Sequence, residues 1–174
     1  MDAMEVLRRY TAGYRDFRGS KLSGAKLTGA YLNRANLSGA YLQEANLGGA
    51  DLSGAYLNRA NLHGVKLSGA DLSGADLRGA DLRGAQISGA KLSGTKLEAA
   101  LCDVETRWPA DFTVPNGVLL IEPAANLSGA GLSGAYLNKA DLSWADLSWA
   151  APCPAGRKRA RPEGKRPGHL PGPR

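Results

Sequence analysis

Leucine or a close substitute recurs at every fifth position from Phe17 to Leu97 without a break, and the same phase resumes from Leu127 to Leu147. No other feature of the chain restricts its fold as strongly. A period of five matches neither the 3.6-residue turn of an α-helix nor the alternation of a long strand, so each unit must hold a short extended element and a corner. In the unit Ala70-Asp71-Leu72-Ser73-Gly74, alternation points Ala and Leu inward and Asp outward. Ser and Gly then turn the chain. Gly stands at the second corner position in 15 of the 22 units, which selects a type II turn, because that position requires a positive φ.

One extended element and one corner per unit, repeated with one hand, make a coil, and four corners near right angles close it after about 20 residues. Coils then stack at the strand spacing of about 4.8 Å. The inward row is Phe17, Leu22, Leu27, Leu32, Leu37, Leu42, Leu47, Leu52, Leu57, Leu62, Leu67, Leu72, Leu77, Leu82, Ile87, Leu92 and Leu97, continued by Leu127, Leu132, Leu137, Leu142 and Leu147. Ala two positions earlier completes a narrow interior that larger residues would burst. Arg15, Ser20, Val65 and Thr95 are the departures from Ala.

The segments KLSGAKLTGAYLNRANLSGA (21–40) and ADLSGADLRGADLRGA (70–85) resemble the pentapeptide repeat family, whose signature is A(D/N)LXX. The resemblance implies an all-β fold, a right-handed quadrilateral β-helix, and supplies the handedness that spacing alone does not. MEVLRRYTAGYRDFRGS (4–20) resembles the leader of many cyanobacterial members, and TRWPADFTVPNG (106–117) is similar to the T-x-W-P segment that interrupts them.

Five regions follow. Residues 1–14 read as an N-terminal cap helix, with Asp2 and Glu5 as a capping box, Met4, Leu7 and Tyr10 on one face, and Gly13 as the stop. Residues 15–98 are the first repeat block. In 99–124 the period fails, since the in-phase positions become Cys102, Arg107, Phe112, Gly117 and Glu122; a loop is expected, with a short strand in Val118–Ile121. That loop either packs on the side of the solenoid or projects toward a partner through Trp108 and Phe112. Residues 125–150 form the second block, and 151–174 a basic Pro/Gly-rich tail unable to form a core.

Charge is divided by region. Residues 15–97 carry +5, residues 98–124 carry −4, and the tail holds a net +6, equal to that of the whole chain. A disordered tail, or a salt-dependent contact of that tail with nucleic acid, accounts for such a run. No stretch of 18 apolar residues suggests a membrane span, and the charged N-terminus is unlike a signal peptide, so a cytoplasmic protein is expected, and the resemblance to cyanobacterial members implies a bacterial one. Cys102 and Cys153 lack metal-site spacing and are read as unpaired thiols; no cofactor, metal or small-molecule substrate is expected.

Catalytic chemistry finds no assembly. His63 and His169 fall in different regions, and Asp71, Asp76 and Asp81, five apart, fall on three different sides of the coil. Tyr31, Tyr41, Tyr56 and Tyr136 occupy outward positions in units that end in Arg34, Glu44, Arg59 and Lys139, without forming a ladder for stacked bases. Trp144 and Trp149 replace Gly at the last two corners and either fold over the open end of the stack as a cap or are the contact of a homodimer joined through the C-terminal coil. The expected function is a non-enzymatic scaffold for protein–protein interaction. The family resemblance also implies an alternative, imitation of duplex DNA to bind gyrase, which a neutral-to-basic body disfavours.

Overall fold

The computed structural model describes residues 1–123 and, beyond them, 125, 127–130, 132, 137, 142–143 and 145–148. Outward residues of successive coils pair in parallel at intervals of 20, as Asp16 with Asn36, Asn36 with Tyr56, and Tyr56 with Asp76. Four columns of such pairs make four sides. The first side holds Asp16, Asn36, Tyr56, Asp76 and Lys96; the second Lys21, Tyr41, Asn61, Asp81 and Leu101; the third Lys26, Asn46, Lys66, Gln86 and Arg107; the fourth Tyr31, Asp51, Asp71 and Lys91.

Each repeat from residue 35 to residue 79 places four of its five backbone N–H groups on backbone oxygens. In residues 70–74, Ala70 closes the preceding corner on Leu67 O (3.0 Å), Asp71 donates down to Ala50 O (2.9 Å), and Leu72 and Gly74 donate up to Lys91 O (2.9 Å) and Ser93 O (2.8 Å). Buried backbone groups are thus satisfied between coils, although each side contributes only one paired residue per coil. The corner bond Ala75 N–H to Leu72 O (2.9 Å) spans a turn whose second central residue, Gly74, has φ +67°. Such a turn is type II.

Gly74→Val therefore costs more than Ser73→Val, because only the former forces a β-branched side chain into the left-handed region. Paired thermal melts test this, and equal losses would rule out the turn type. Arg34, Glu44 and Arg59 nevertheless hold φ of +56 to +57° at the corners of the tyrosine repeats. Each stem lies along the stack toward a glycine of the next coil. A methyl group added at Gly54, Gly64 or Gly79 would stand 3.4, 3.4 or 3.5 Å from the Cγ of Arg34, Glu44 or Arg59.

Every inward residue from Phe17 to Leu97 is buried, in one cluster with the Ala row and Val65. Each such leucine contributes about 1.5–3 kcal/mol relative to exposure, offset by chain ordering. A second cluster gathers Leu101, Ile121, Ala125, Leu127 and Leu132, with Leu137 and Leu142 half-buried against it. Leu147 departs from the expected core: it is 44% exposed. It belongs to the last repeat, and no described coil stacks beyond it.

Helix α1 (Ala3–Thr11) packs on the first coil through Val6 and Tyr10, with Ala3 and Leu7 beside them. The expected face is corrected by one residue, since Met4 is 75% exposed and Val6 is fully buried. Only half of the capping box forms. Asp2 Oδ1 accepts from Glu5 N–H (2.8 Å), whereas the Glu5 carboxylate turns to Arg8 and Arg9. Arg15, which replaces the inward Ala, lies with its guanidinium 3.8 Å from the Tyr10 ring centroid and donates to Tyr10 O (2.9 Å). Tyr10 Oη in turn donates to Asn33 O (2.9 Å), so one aromatic ring ties the helix to the coil.

The segment expected as a loop keeps to the coil path for half of its length. Strand β1 (Leu101–Cys102) pairs in parallel with β2 (Leu119–Leu120), inside the apolar run 118–121. Arg107 pairs with Gln86 at an interval of 21, so one residue has been inserted after Cys102. Thr106 then takes the inward Ala position, donating its hydroxyl to Leu82 O (2.9 Å), as Thr95 does to Leu72 O (2.9 Å). Leu119 follows Arg107 by 12 positions, where three regular sides would take 15, and residues 108–117 make the short cut.

Candidate functional site

The fifth N–H of each repeat, at the first corner position, has no backbone partner on the coil, and where the outward residue two positions earlier is Asp or Asn its side chain supplies one. Ser73 N–H donates to Asp71 Oδ1 (3.0 Å), Ser53 to Asp51 Oδ1 (3.0 Å), His63 to Asn61 Oδ1 (3.2 Å) and Gly48 to Asn46 Oδ1 (3.1 Å). Asp and Asn suit this place because their oxygen reaches back over one residue as an Asx turn. Sequence reasoning missed this role. Its signal was the D/N in the second position of the repeat, which treating that position as merely polar discarded.

Asp16, Asp76 and Asp81 cap the N–H of Arg18, Arg78 and Arg83 in the same way and also bind the side chain of that arginine. Arg18, Arg78 and Arg83 each donate Nε and a terminal nitrogen to Asp16, Asp76 and Asp81, with terminal contacts of 2.8, 2.6 and 2.7 Å. Asp71 meets Lys91 of the next coil at 3.3 Å. The Arg18 side-chain bond holds the Asp16 carboxyl below the ordinary range, and that of Arg78 does the same for Asp76. For Asp71 the N–H of Ser73 is the main cause of a shift in the same direction. Downward shifts suit a turn cap or an ion pair and are opposite to those of a general acid working at neutral pH.

Cys102 is a buried free thiol, pushed up to about 11 by its burial and then by the charge of Asp103, which leaves it protonated and weakly nucleophilic. His63 is exposed at a corner. Among the described residues no group of His, Cys, Asp and Glu is arranged to hold a metal, and no helix is long and apolar enough to cross a membrane.

Trp108 and Phe112 come together. Their rings stack with centroids 5.4 Å apart at 22°, half-buried against the first core cluster. The one-residue insertion explains the placement: Arg107 stands outward above Gln86, so Trp108 takes the inward place above Ile87, where Ile87 N–H donates to Arg107 O (2.8 Å). Of the two expectations for this loop, packing on the solenoid is the one observed. Trp144 and Trp149, Tyr136, Cys153, His169 and the tail 151–174 lie outside the described residues.

The family profile "Pentapeptide repeats" matches residues 16–54, 35–74, 60–98 and 124–150 in eight copies. No curated protein sequence matches the chain. Among solved structures, it is similar to Rfr23, a pentapeptide repeat protein of the cyanobacterium Cyanothece 51142, with 41% identity over 53% of this chain and 63% of that one, at a TM-score of 0.53. The chain thus spans less than two thirds of the length of Rfr23. It is also similar to alr5209, a pentapeptide repeat protein of Nostoc PCC 7120, with 38% identity over 68% of this chain and 95% of that one and a TM-score of 0.33. QnrB1, a plasmid-mediated fluoroquinolone resistance protein, matches at 22% identity over 78% of both chains with a TM-score of 0.44. The four-sided stack, with 20 residues to the coil, has the path of the right-handed quadrilateral β-helix that membership of the pentapeptide repeat family implies. On sequence profile and repeat geometry together, the chain belongs to the pentapeptide repeat family.

Proposed function

We propose that the protein is a non-enzymatic scaffold that docks another protein on the flat sides of its coil. The observation that carries this reading is the fixed row. Outward side chains stand in four columns whose spacing of about 4.8 Å is set by backbone bonds between coils, so a partner meets groups already ordered. Affinity capture from lysate of the native host with the full chain tests it. Specific recovery of one protein, retained at moderate salt, is expected; recovery of nucleic acid alone, or turnover of a small molecule by the purified chain, would overturn it.

The DNA-imitating alternative needs a surface dominated by free carboxylates. Here Asp16, Asp71, Asp76 and Asp81 are each paired with a cation, which weighs against that reading. A gyrase supercoiling assay separates the two, since DNA-competitive inhibition would favour imitation. We further propose a homodimer through the C-terminal coil. The exposed Leu147, between Trp144 and Trp149 in sequence, supports a covered apolar end there. Changing both tryptophans to Ser converts a dimer to a monomer in sedimentation while leaving the β signal intact; a wild type that is monomeric at high concentration would refute it.

A further inference from the structure

The third side differs from the other three in its charge. Lys26, Lys66 and Arg107 stand in its column, separated by the neutral Asn46 and Gln86, and the column contains no carboxylate. All three cations are exposed, and none forms an ion pair among the described residues. Carboxylates on the first, second and fourth sides are drawn into pairs at Asp16, Asp76, Asp81 and Asp71. The third side is therefore the column that carries cations without a carboxylate, two from the first block and Arg107 from the segment that follows it. The corner that follows this side carries only small residues at Thr28, Gly48, Ser68 and Ser88, each followed by Gly, and beyond Arg107 the chain continues into Pro109 and the stacked Trp108 and Phe112. On the opposite margin the acidic side chains are Glu44, whose stem is laid along the stack over Gly64, and Asp103 and Glu105 in the corner before Arg107.

We infer that the third side is the docking strip for an acidic α-helix of a protein partner, a reading that rests on the scaffold function proposed above. The cations lie two coils apart, which at the strand spacing is about 10 Å. Residues i, i+7 and i+14 of a helix recur on one face at about 10.5 Å, so three carboxylates in heptad register fall opposite Lys26, Lys66 and Arg107 within the reach of their flexible stems. Asn46 and Gln86 fill the intervals with amide groups able to bond a helix surface. Nucleic acid fits the strip less well. Duplex phosphates recur every 3.4 Å of axis along each strand and wind away from a straight row, and the column has no aromatic ring on which an unpaired base could stack.

The test uses the full chain and a synthetic helical peptide of about three heptads with Glu at i, i+7 and i+14, read by fluorescence anisotropy at low salt. A peptide of identical composition with those glutamates spread around the helix is the register control. The variant Lys26→Ala/Lys66→Ala/Arg107→Ala is compared with Lys21→Ala/Lys91→Ala/Lys96→Ala, which removes three cations from the other sides; the basic tail is the same in both. Expected is binding of the in-register peptide that weakens about ten-fold in the first variant and little in the second, with unchanged melting curves. Equal loss in both variants, equal binding of the scrambled peptide, or a larger loss of duplex DNA than of peptide would overturn the proposal. If the first variant still captures the same lysate partner as wild type, the strip is refuted and the scaffold reading stands.

Discussion

Leu72→Asp abolishes the cooperative melting transition. Leu72 is fully buried in the middle of the first block, and its neighbours along the inward column, Leu52 and Leu92, are themselves buried leucines with no polar group to offer. A carboxylate placed there is left unpaired in a dry interior, at a cost of several kcal/mol even after relaxation. A solenoid has no distant core to absorb such a loss, because each coil is stabilised by the coils above and below. Circular dichroism against temperature is the measurement. A wild-type transition would contradict the assignment of Leu72 to the interior. Leu72→Ala is the milder companion, expected to lower the midpoint by a cavity cost of about 2–5 kcal/mol and leave the fold in place.

The second large effect is at Arg83. Three pairs share one local geometry, an arginine reaching back two residues to an aspartate, and differ in burial. The side chains of Arg18 and Asp16 are 65 and 60% exposed, those of Arg78 and Asp76 are 54 and 10%, and those of Arg83 and Asp81 are 6 and 1%. The first pair is open to screening by water and salt, so Arg18→Ala leaves the melting curve unchanged. Arg83→Ala leaves Asp81 charged and buried, and the expected loss is about 3–5 kcal/mol, with Arg78→Ala between the two. Urea titrations of the three variants rank them directly. Equal losses at Arg18 and Arg83 would show that burial does not set the value of this pair.

The coil and its inward row were legible because the repeat is strict: one period of five assigns every residue from Phe17 to Leu97 to an inside or an outside. What escaped depends on residues far away in sequence. That Asp71 caps the N–H of Ser73 follows only from knowing which donors the coils at Ala50 and Lys91 have already used. The inserted residue after Cys102 moves Arg107 from an inward phase to an outward column and turns Trp108 inward, a shift visible only once Gln86 is seen beside Arg107. Helix α1 misled by one position because Met4 and Val6 are both apolar, and docking onto the first coil chose Val6.

The bonds that join the coils also have a mechanical meaning. All of those described, such as Leu72 N–H to Lys91 O, run along the axis of the stack. A pull applied at the two ends loads them one coil after another, as in opening a zipper, and coils part singly at modest force. A load spread across a side is shared by many bonds at once and meets a stiff plate. A partner lying lengthwise along one side would splice several coils together, and so raise the force needed to peel the end coils from the stack.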